Sequence, residues 1–173
     1  MEIIELDRAG AEREMEALAE ILHACVQAGA SVNFVLPFPP EAARAFWRRV
    51  LGMMETGGRR LLVARHEGRI VGTVQLDVAT PPNQPHRAEV TKLLVHPDAR
   101  RLGIARALML ALEALARRQG RSLLTLDTRT GDKAEPLYRD LGFTVLGSIP
   151  GYSIAPEGGR LDATTFMYKQ LAP

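Results

Sequence analysis

Cysteine is almost missing: among 173 residues Cys25 is the only one, so no internal disulfide can form and no cysteine pair has metal-ligand spacing. Its neighbours Leu22, His23, Ala24 and Val26 place it on an apolar stretch, where it reads as a buried structural thiol. Aromatic residues are scarce at 5%, and acids nearly balance bases, leaving a net charge of +2. That composition lacks the long basic stripe with interleaved aromatics expected of a nucleic-acid binder, so no nucleic-acid partner is expected. The arginines that come in pairs, such as Arg48-Arg49 and Arg100-Arg101, read first as solvated helix faces or ends, with room for one local anion site. Long apolar runs are missing too, none approaching the roughly 20 residues needed to cross a bilayer. The start Met1-Glu2-Ile3-Ile4-Glu5 has neither the basic nor the apolar region of a secretory signal. A cytoplasmic protein with no membrane partner is the expectation. The four histidines, His23, His66, His86 and His96, are scattered without pairwise ligand spacing, so no metal is expected.

What is abundant is apolar surface. A hydrophobic content of 46% over 173 residues suffices for one continuous core, which implies a single domain spanning 1–173. Glu2 to Leu6 alternates as a short strand. Met15, Leu18, Ile21, Leu22 and Cys25 recur at helical spacing within a helix expected over 11–28 and stopped by Gly29. Pro39-Pro40 opens a second helix through Phe46, Trp47, Val50 and Met54, in which Trp47 reads as core. Two apolar, β-branched stretches, 60–65 and 70–78, flank the turn His66-Glu67-Gly68-Arg69 as a hairpin. Strands are expected at 87–95, 122–128, 143–146 and 163–171, with a long helix at 103–119. A short helix capped by Asp132 should run to Leu141-Gly142, and the Gly/Pro-rich stretch 150–159 reads as a loop. This order is an α/β arrangement: a strand-helix-strand crossover within a partly antiparallel sheet sets a helix N-terminus at the carboxyl edge of a parallel pair.

That edge carries the most informative segment. Val90 to Val95 runs through His96-Pro97-Asp98-Ala99 into Arg100-Arg101-Leu102-Gly103-Ile104-Ala105. Unpaired N–H groups at a helix start can cradle a pyrophosphate, small residues let it approach, and Arg100 and Arg101 add charge-assisted hydrogen bonds. Alone, the turn is equally compatible with a helix start that binds nothing. A second block follows at the expected distance: Leu124-Thr125-Leu126-Asp127-Thr128, then Ala134-Glu135-Pro136-Leu137-Tyr138-Arg139-Asp140-Leu141-Gly142-Phe143.

Together the two blocks resemble the GCN5-related N-acetyltransferase superfamily, with its Gln/Arg-x-x-Gly-x-Gly/Ala turn and Ala-x-x-Leu-Tyr-x-x-x-Gly-Phe helix. The resemblance implies a mixed, mostly antiparallel central sheet with a splayed parallel strand pair and about four helices. It further implies acetyl-CoA as cosubstrate. The pyrophosphate would lie on the backbone of Arg101, Leu102, Gly103, Ile104 and Ala105, assisted by Arg100. The pantetheine arm would pair with Leu93, Leu94 and Val95 and run beside Thr128 and Ala134. The chain departs from the family pattern at Gly131, where an Asn often contacts the coenzyme. Gly29 to Phe34, Arg87 to Val90, Leu126 to Thr128 and Pro150-Gly151-Tyr152 also resemble the tabtoxin-resistance-like acetyltransferases. That similarity implies a small, polar, amino-acid-like amine as acceptor, in a monomer or homodimer.

Acetyl transfer to an amine needs a neutral nucleophile, a stabilised oxyanion and a proton for the leaving thiolate. An alkyl amine of pKa near 10 is mostly protonated at pH 7, so a base is required. Asp127 and Glu89, on apolar strands, are the candidates, and desolvation there would raise their pKa. Structural alternatives stand beside them: an ion pair of Glu89 with Arg87 or Lys92, and helix capping by Asp127. By resemblance Tyr138 is the acid, the alternative being a core aromatic with a satisfied hydroxyl. A backbone N–H near Leu93 would polarise the thioester carbonyl. Ser31, Asn33 and Phe34, with Tyr152 on the late loop, are the candidate acceptor residues, although Asn33 could serve only a turn and Phe34 only the core.

Overall fold

The computed structural model describes residues 1–171. Seven strands, β1 (Glu2–Leu6), β2 (Arg59–His66), β3 (Arg69–Asp77), β4 (Arg87–Val95), β5 (Leu123–Arg129), β6 (Thr144–Ile154) and β7 (Leu161–Gln170), form one sheet in the order β1-β2-β3-β4-β5-β7-β6. All neighbours are antiparallel except β4 and β5, which are parallel. Five α-helices flank the sheet: α1 (Arg8–Arg13), α2 (Met15–Gln27), α3 (Pro40–Glu55), α4 (Ile104–Arg118) and α5 (Ala134–Asp140).

Alternation along the strands makes two cores. On one face Val74, Leu76, Ala88, Val90, Leu124 and Leu126 pack against Ile104, Leu108, Leu112 and Leu115 of α4 and Tyr138 of α5. On the other, Leu61, Val63 and Leu94 pack against Leu18, Leu22, Val50 and Trp47 of α2 and α3. Trp47 is 1% exposed. Its indole Nε1 donates to the Leu18 carbonyl at 2.8 Å, so the one polar group of that side chain is satisfied inside the core.

The expected helix 11–28 is two helices. Asp7 caps α1 by accepting from the Gly10 N–H at 2.6 Å, and the chain leaves helical geometry at Glu14 (φ −96°, ψ 15°) before α2 begins. This division raises the helix number from about four to five. Asp132 precedes α5 by two residues, yet its Oδ1 accepts from the Ala134 N–H at 3.2 Å and does the work expected of a cap.

The Gly/Pro-rich stretch 150–159 is not all loop. β6 continues through Pro150 and Gly151 to Ile154. It is the edge strand, so the N–H that proline lacks has no neighbour to serve. The two strands lose register between Ile149↔Thr164 and Ser153↔Asp162, where Gly151 takes φ 62°. An irregular edge thus absorbs residues whose composition reads as a turn.

Two irregularities shape the middle of the sheet. β4 and β5 pair only from Arg87↔Leu123 to Glu89↔Thr125, and beyond Glu89 they diverge. On the other side of β4 the register passes from Thr73↔Leu94 to Gln75↔Thr91, so Lys92 and Leu93 face the single residue Val74 as a β-bulge. Lys92 sits there at φ 53°, and its carbonyl accepts from Thr73 Oγ1 at 3.1 Å.

Candidate active site

Between the diverging ends of β4 and β5 lies a cavity of about 460 Å³. Leu93, Leu94, Val95, Arg100, Arg101, Ala105, Thr128, Ala134, Glu89, Asp127, Tyr138, Ser31 and Asn33 line it, so residues from both sequence blocks and the 31–33 segment are brought to one place.

One end is made by the start of α4, where Arg100, Arg101 and Ala105 line the cavity. A 3-10 turn, Pro97–Ala99, is followed by Arg101 at φ 67° and Gly103 at φ 76°, both left-handed. Among the described residues, the N–H groups of Arg101, Leu102, Gly103, Ile104 and Ala105 have no acceptor within the chain. A Cβ added at Gly103 would meet nothing within 4 Å, so that backbone faces open space. Free donors, the positive end of a 15-residue helix and two exposed arginines form a site for an anionic group. Leu102, Gly103 and Ile104 are not among the residues lining the cavity: Leu102 is exposed and the Ile104 side chain is buried in the core. Beneath the turn, β3 is pressed against α4 at Gly72, where a Cβ would meet Ile104 Cγ2 at 3.0 Å and the Leu94 carbonyl at 3.1 Å.

Cys25 also lines the cavity, from α2. Its Sγ donates to the Val95 carbonyl at 3.3 Å, which ties α2 to the end of β4. Burial pushes this thiol up, against the pull of Arg100.

The opposite end holds the titratable groups. Burial pushes the Glu89 carboxyl above its ordinary range, and the negative charge of Asp127 pushes it further. Its contact with Arg87 Nη1 is long, 3.9 Å, and there is no ion pair with Lys92. Asp127 stands on β5 opposite Phe166 of β7 and caps no helix. Among the described residues its carboxylate has neither a hydrogen bond nor an ion pair. Tyr138 is 7% exposed and packs edge-on against Phe143 at 5.9 Å. Burial above all, with Asp132 and Asp127 adding to it, raises its phenol well above the ordinary value, so it stays protonated throughout the neutral range. Its hydroxyl has no partner among the described residues while the side chain lines the cavity.

The four acceptor candidates separate. Ser31 and Asn33 line this cavity and also a smaller adjoining one of about 200 Å³, which Phe34, Val35, Ser153 and Ile154 complete. Asn33 takes φ 72°, so it has a turn role as well. Phe34 is in an aromatic cluster with Phe38 at 4.6 Å and Phe46 at 5.5 Å. Tyr152 lines neither cavity; it packs edge-on against Phe166 at 5.4 Å with half its surface exposed. The irregular β6 edge carries it there. Sequence reasoning passed over Lys92 as a site residue, although a charged residue within the mostly apolar run Val90 to Val95 is an anomaly that marks it. No group of three or more His, Cys, Asp or Glu among the described residues is placed to hold a metal.

A family model described as acetyltransferase (GNAT) family matches residues 15–143. The chain is 34% identical over 125 residues to an uncharacterized N-acetyltransferase in the hisH-hisA intergenic region of Azospirillum brasilense, covering 71% of this chain and 73% of that one. Among solved structures, a ribosomal-protein-alanine N-acetyltransferase from Brucella melitensis superposes with a TM-score of 0.78 at 26% identity, covering 99% of this chain and 100% of that one. The structure of yncA from Salmonella typhimurium with its cofactor acetyl-CoA superposes with a TM-score of 0.79 at 24% identity, over 100% and 95% of the two chains.

Proposed function

The chain belongs to the acetyltransferase (GNAT) family, and from that premise we propose that it transfers the acetyl group of acetyl-CoA directly to a small, amino-acid-like amine within a ternary complex. What most supports this reading is the row of unpaired amides from Arg101 to Ala105, of which Arg101 and Ala105 line the cavity where β4 and β5 part. Those amides with Arg100 and Arg101 would hold the pyrophosphate. Leu93, Leu94 and Val95, beside Thr128 and Ala134, would hold the pantetheine arm. Bound there, acetyl-CoA supplies an activated acetyl thioester.

The residues then divide the proton work. Glu89, whose carboxyl is pushed above its ordinary range by burial and by Asp127, is matched to taking a proton from an ammonium acceptor, directly or through water. The main-chain N–H near Leu93, at the bulge, donates to the acetyl carbonyl as negative charge develops on it. Tyr138 holds its proton until the thiolate departs. Ser31 and Asn33 border the acceptor.

The resemblance to tabtoxin-resistance-like acetyltransferases supports an amino-acid-like acceptor and a role in inactivating a toxin or antibiotic of that kind. A second reading, acetylation of a protein or peptide, is favoured by the 26% identity to a ribosomal-protein-alanine N-acetyltransferase. Against it, the segment before α3 is tied to the turn after β6 by the Leu36 N–H donating to the Pro156 carbonyl at 2.7 Å, which narrows the approach on the acceptor side. The test is acetyl-CoA consumption with thiol release over amino acids, amine antibiotics and short peptides. Turnover with small amines alone supports the first reading, turnover with peptides alone the second, and turnover with neither overturns both.

A further inference from the structure

Two opposite charges stand unpaired in the acceptor end of the cavity. Among the described residues, neither the Lys92 ammonium nor the Asp127 carboxylate makes a hydrogen bond or an ion pair, although both line the same cavity. Elsewhere the protein pairs such groups readily: Lys169 Nζ meets Glu113 Oε1 at 2.6 Å, and Arg59 meets Asp77 at 2.7 Å. Lys92 and Asp127 stand on different strands, Lys92 half-buried and Asp127 exposed. Asp127 is fixed on β5, hydrogen-bonded to β7. Lys92 projects from the bulge at φ 53°, a costly conformation for a non-glycine residue, and its ammonium lies 5.7 Å from the centre of the Phe46 ring.

The cavity's other cations are placed differently. Arg100 and Arg101 stand at the turn before α4 and Lys133 at the start of α5, whereas Lys92 rests against α3, the side on which Ser31 and Asn33 enter. Desolvation makes an unpartnered ammonium there costly, and an anion brought by the acceptor would offset that cost.

We infer that Lys92 is a specificity-determining residue: it binds the carboxylate of a zwitterionic acceptor whose ammonium faces Asp127 and Glu89. The acceptor is then an α-amino acid or a close analogue with a free carboxylate. This inference rests on the acetyltransferase reading above and adds the group that selects the substrate. A peptide-linked or amidated acceptor leaves Lys92 without its anion.

The test uses the common L-amino acids, each paired with its α-carboxamide, on the wild-type protein, Lys92→Met and Lys92→Arg. Two readouts are taken: steady-state acetyl transfer, and calorimetric binding of the same compounds to protein saturated with coenzyme A. Expected for at least one amino acid is a preference over its carboxamide of roughly 10- to 100-fold in kcat/KM, the effect of a hydrogen bond to a charged partner. Lys92→Met should abolish that preference mainly through KM, with turnover of the carboxamide retained, and Lys92→Arg should restore part of it. A wild-type protein indifferent to the carboxylate, or a Lys92→Met variant that loses amino acid and carboxamide equally, overturns the inference. Lys92-dependent binding of amino acids without transfer upholds the inference and overturns the acetyltransferase reading. Transfer to amines with no carboxylate effect does the reverse.

Discussion

The two ends of the cavity are built from different materials. At the α4 end the ligand-facing groups are main-chain amides, positioned by a 3-10 turn, two left-handed residues and the first turn of a helix. At the acceptor end they are side chains on β4, β5, α5 and the 31–33 segment. Main-chain donors are set by backbone conformation and tolerate changes of side chain at the exposed Leu102. Side-chain groups are set one residue at a time, so on the proposed reading the acceptor could change while coenzyme recognition stays. On that reading the first end would specify a cosubstrate and the second a substrate.

That contrast can be broken by substitutions confined to one end. The largest effect is expected for Tyr138→Phe, which removes the only proton the phenol can give and should lower kcat by about 10²- to 10⁴-fold. Coenzyme affinity by calorimetry should remain as in the wild type; wild-type turnover would remove the acid role. Next comes Gly103→Val at the other end. A β-branched residue at φ 76° is strained by roughly 1–2 kcal/mol and would crowd the open space before the amides, so coenzyme affinity should fall by about tenfold or more. Unchanged affinity would show that the free amides are not the binding site.

Asp127→Asn should have a smaller effect with a distinct signature. The Asp127 charge disfavours the ionised form of Glu89 and so raises its pKa. Removing that charge lets Glu89 lose its proton at lower pH, so the acidic limb of the kcat/KM profile should move toward lower pH while kcat falls. An unmoved limb would mean that Glu89 is not the base. The smallest effect belongs to Tyr152→Ala, outside both cavities, which should change acceptor KM by no more than about twofold, as for an ordinary surface position.

The same contrast explains what could be read from the chain alone. The α4 end was legible because its chemistry follows a local pattern: a buried strand, a small-residue turn and an amphipathic helix fall within Val90 to Arg118, and the structure places β4 and α4 where that pattern puts them. The acceptor end depends on contacts distant in sequence. Phe34 reads as either a pocket wall or a core plug, and the structure makes it both, packed against Phe38 and Phe46 while it lines the smaller cavity. Tyr152 reads as a loop residue because Pro150 and Gly151 punctuate β6, whereas the unpaired edge lets the strand carry them. Lys92 and Asp127 could not be recognised as an unpaired couple, since the parting of β4 and β5 beyond Glu89↔Thr125, which sets them on either side of the cavity, depends on pairing between strands distant in sequence.

The three-residue pairing of β4 with β5 has a consequence for the whole molecule. Strand pairing across the seven-stranded sheet passes through that short seam, between a four-stranded half and a three-stranded half that are also joined by α4 packing beneath, by Arg121 reaching the carbonyls of Arg87 and Pro85, and by links such as Leu36 N–H to the Pro156 carbonyl. A molecule lodged where the strands part touches both halves and acts as the missing rungs. Occupancy and cohesion would thereby be linked: ligand saturation should add to resistance against unfolding.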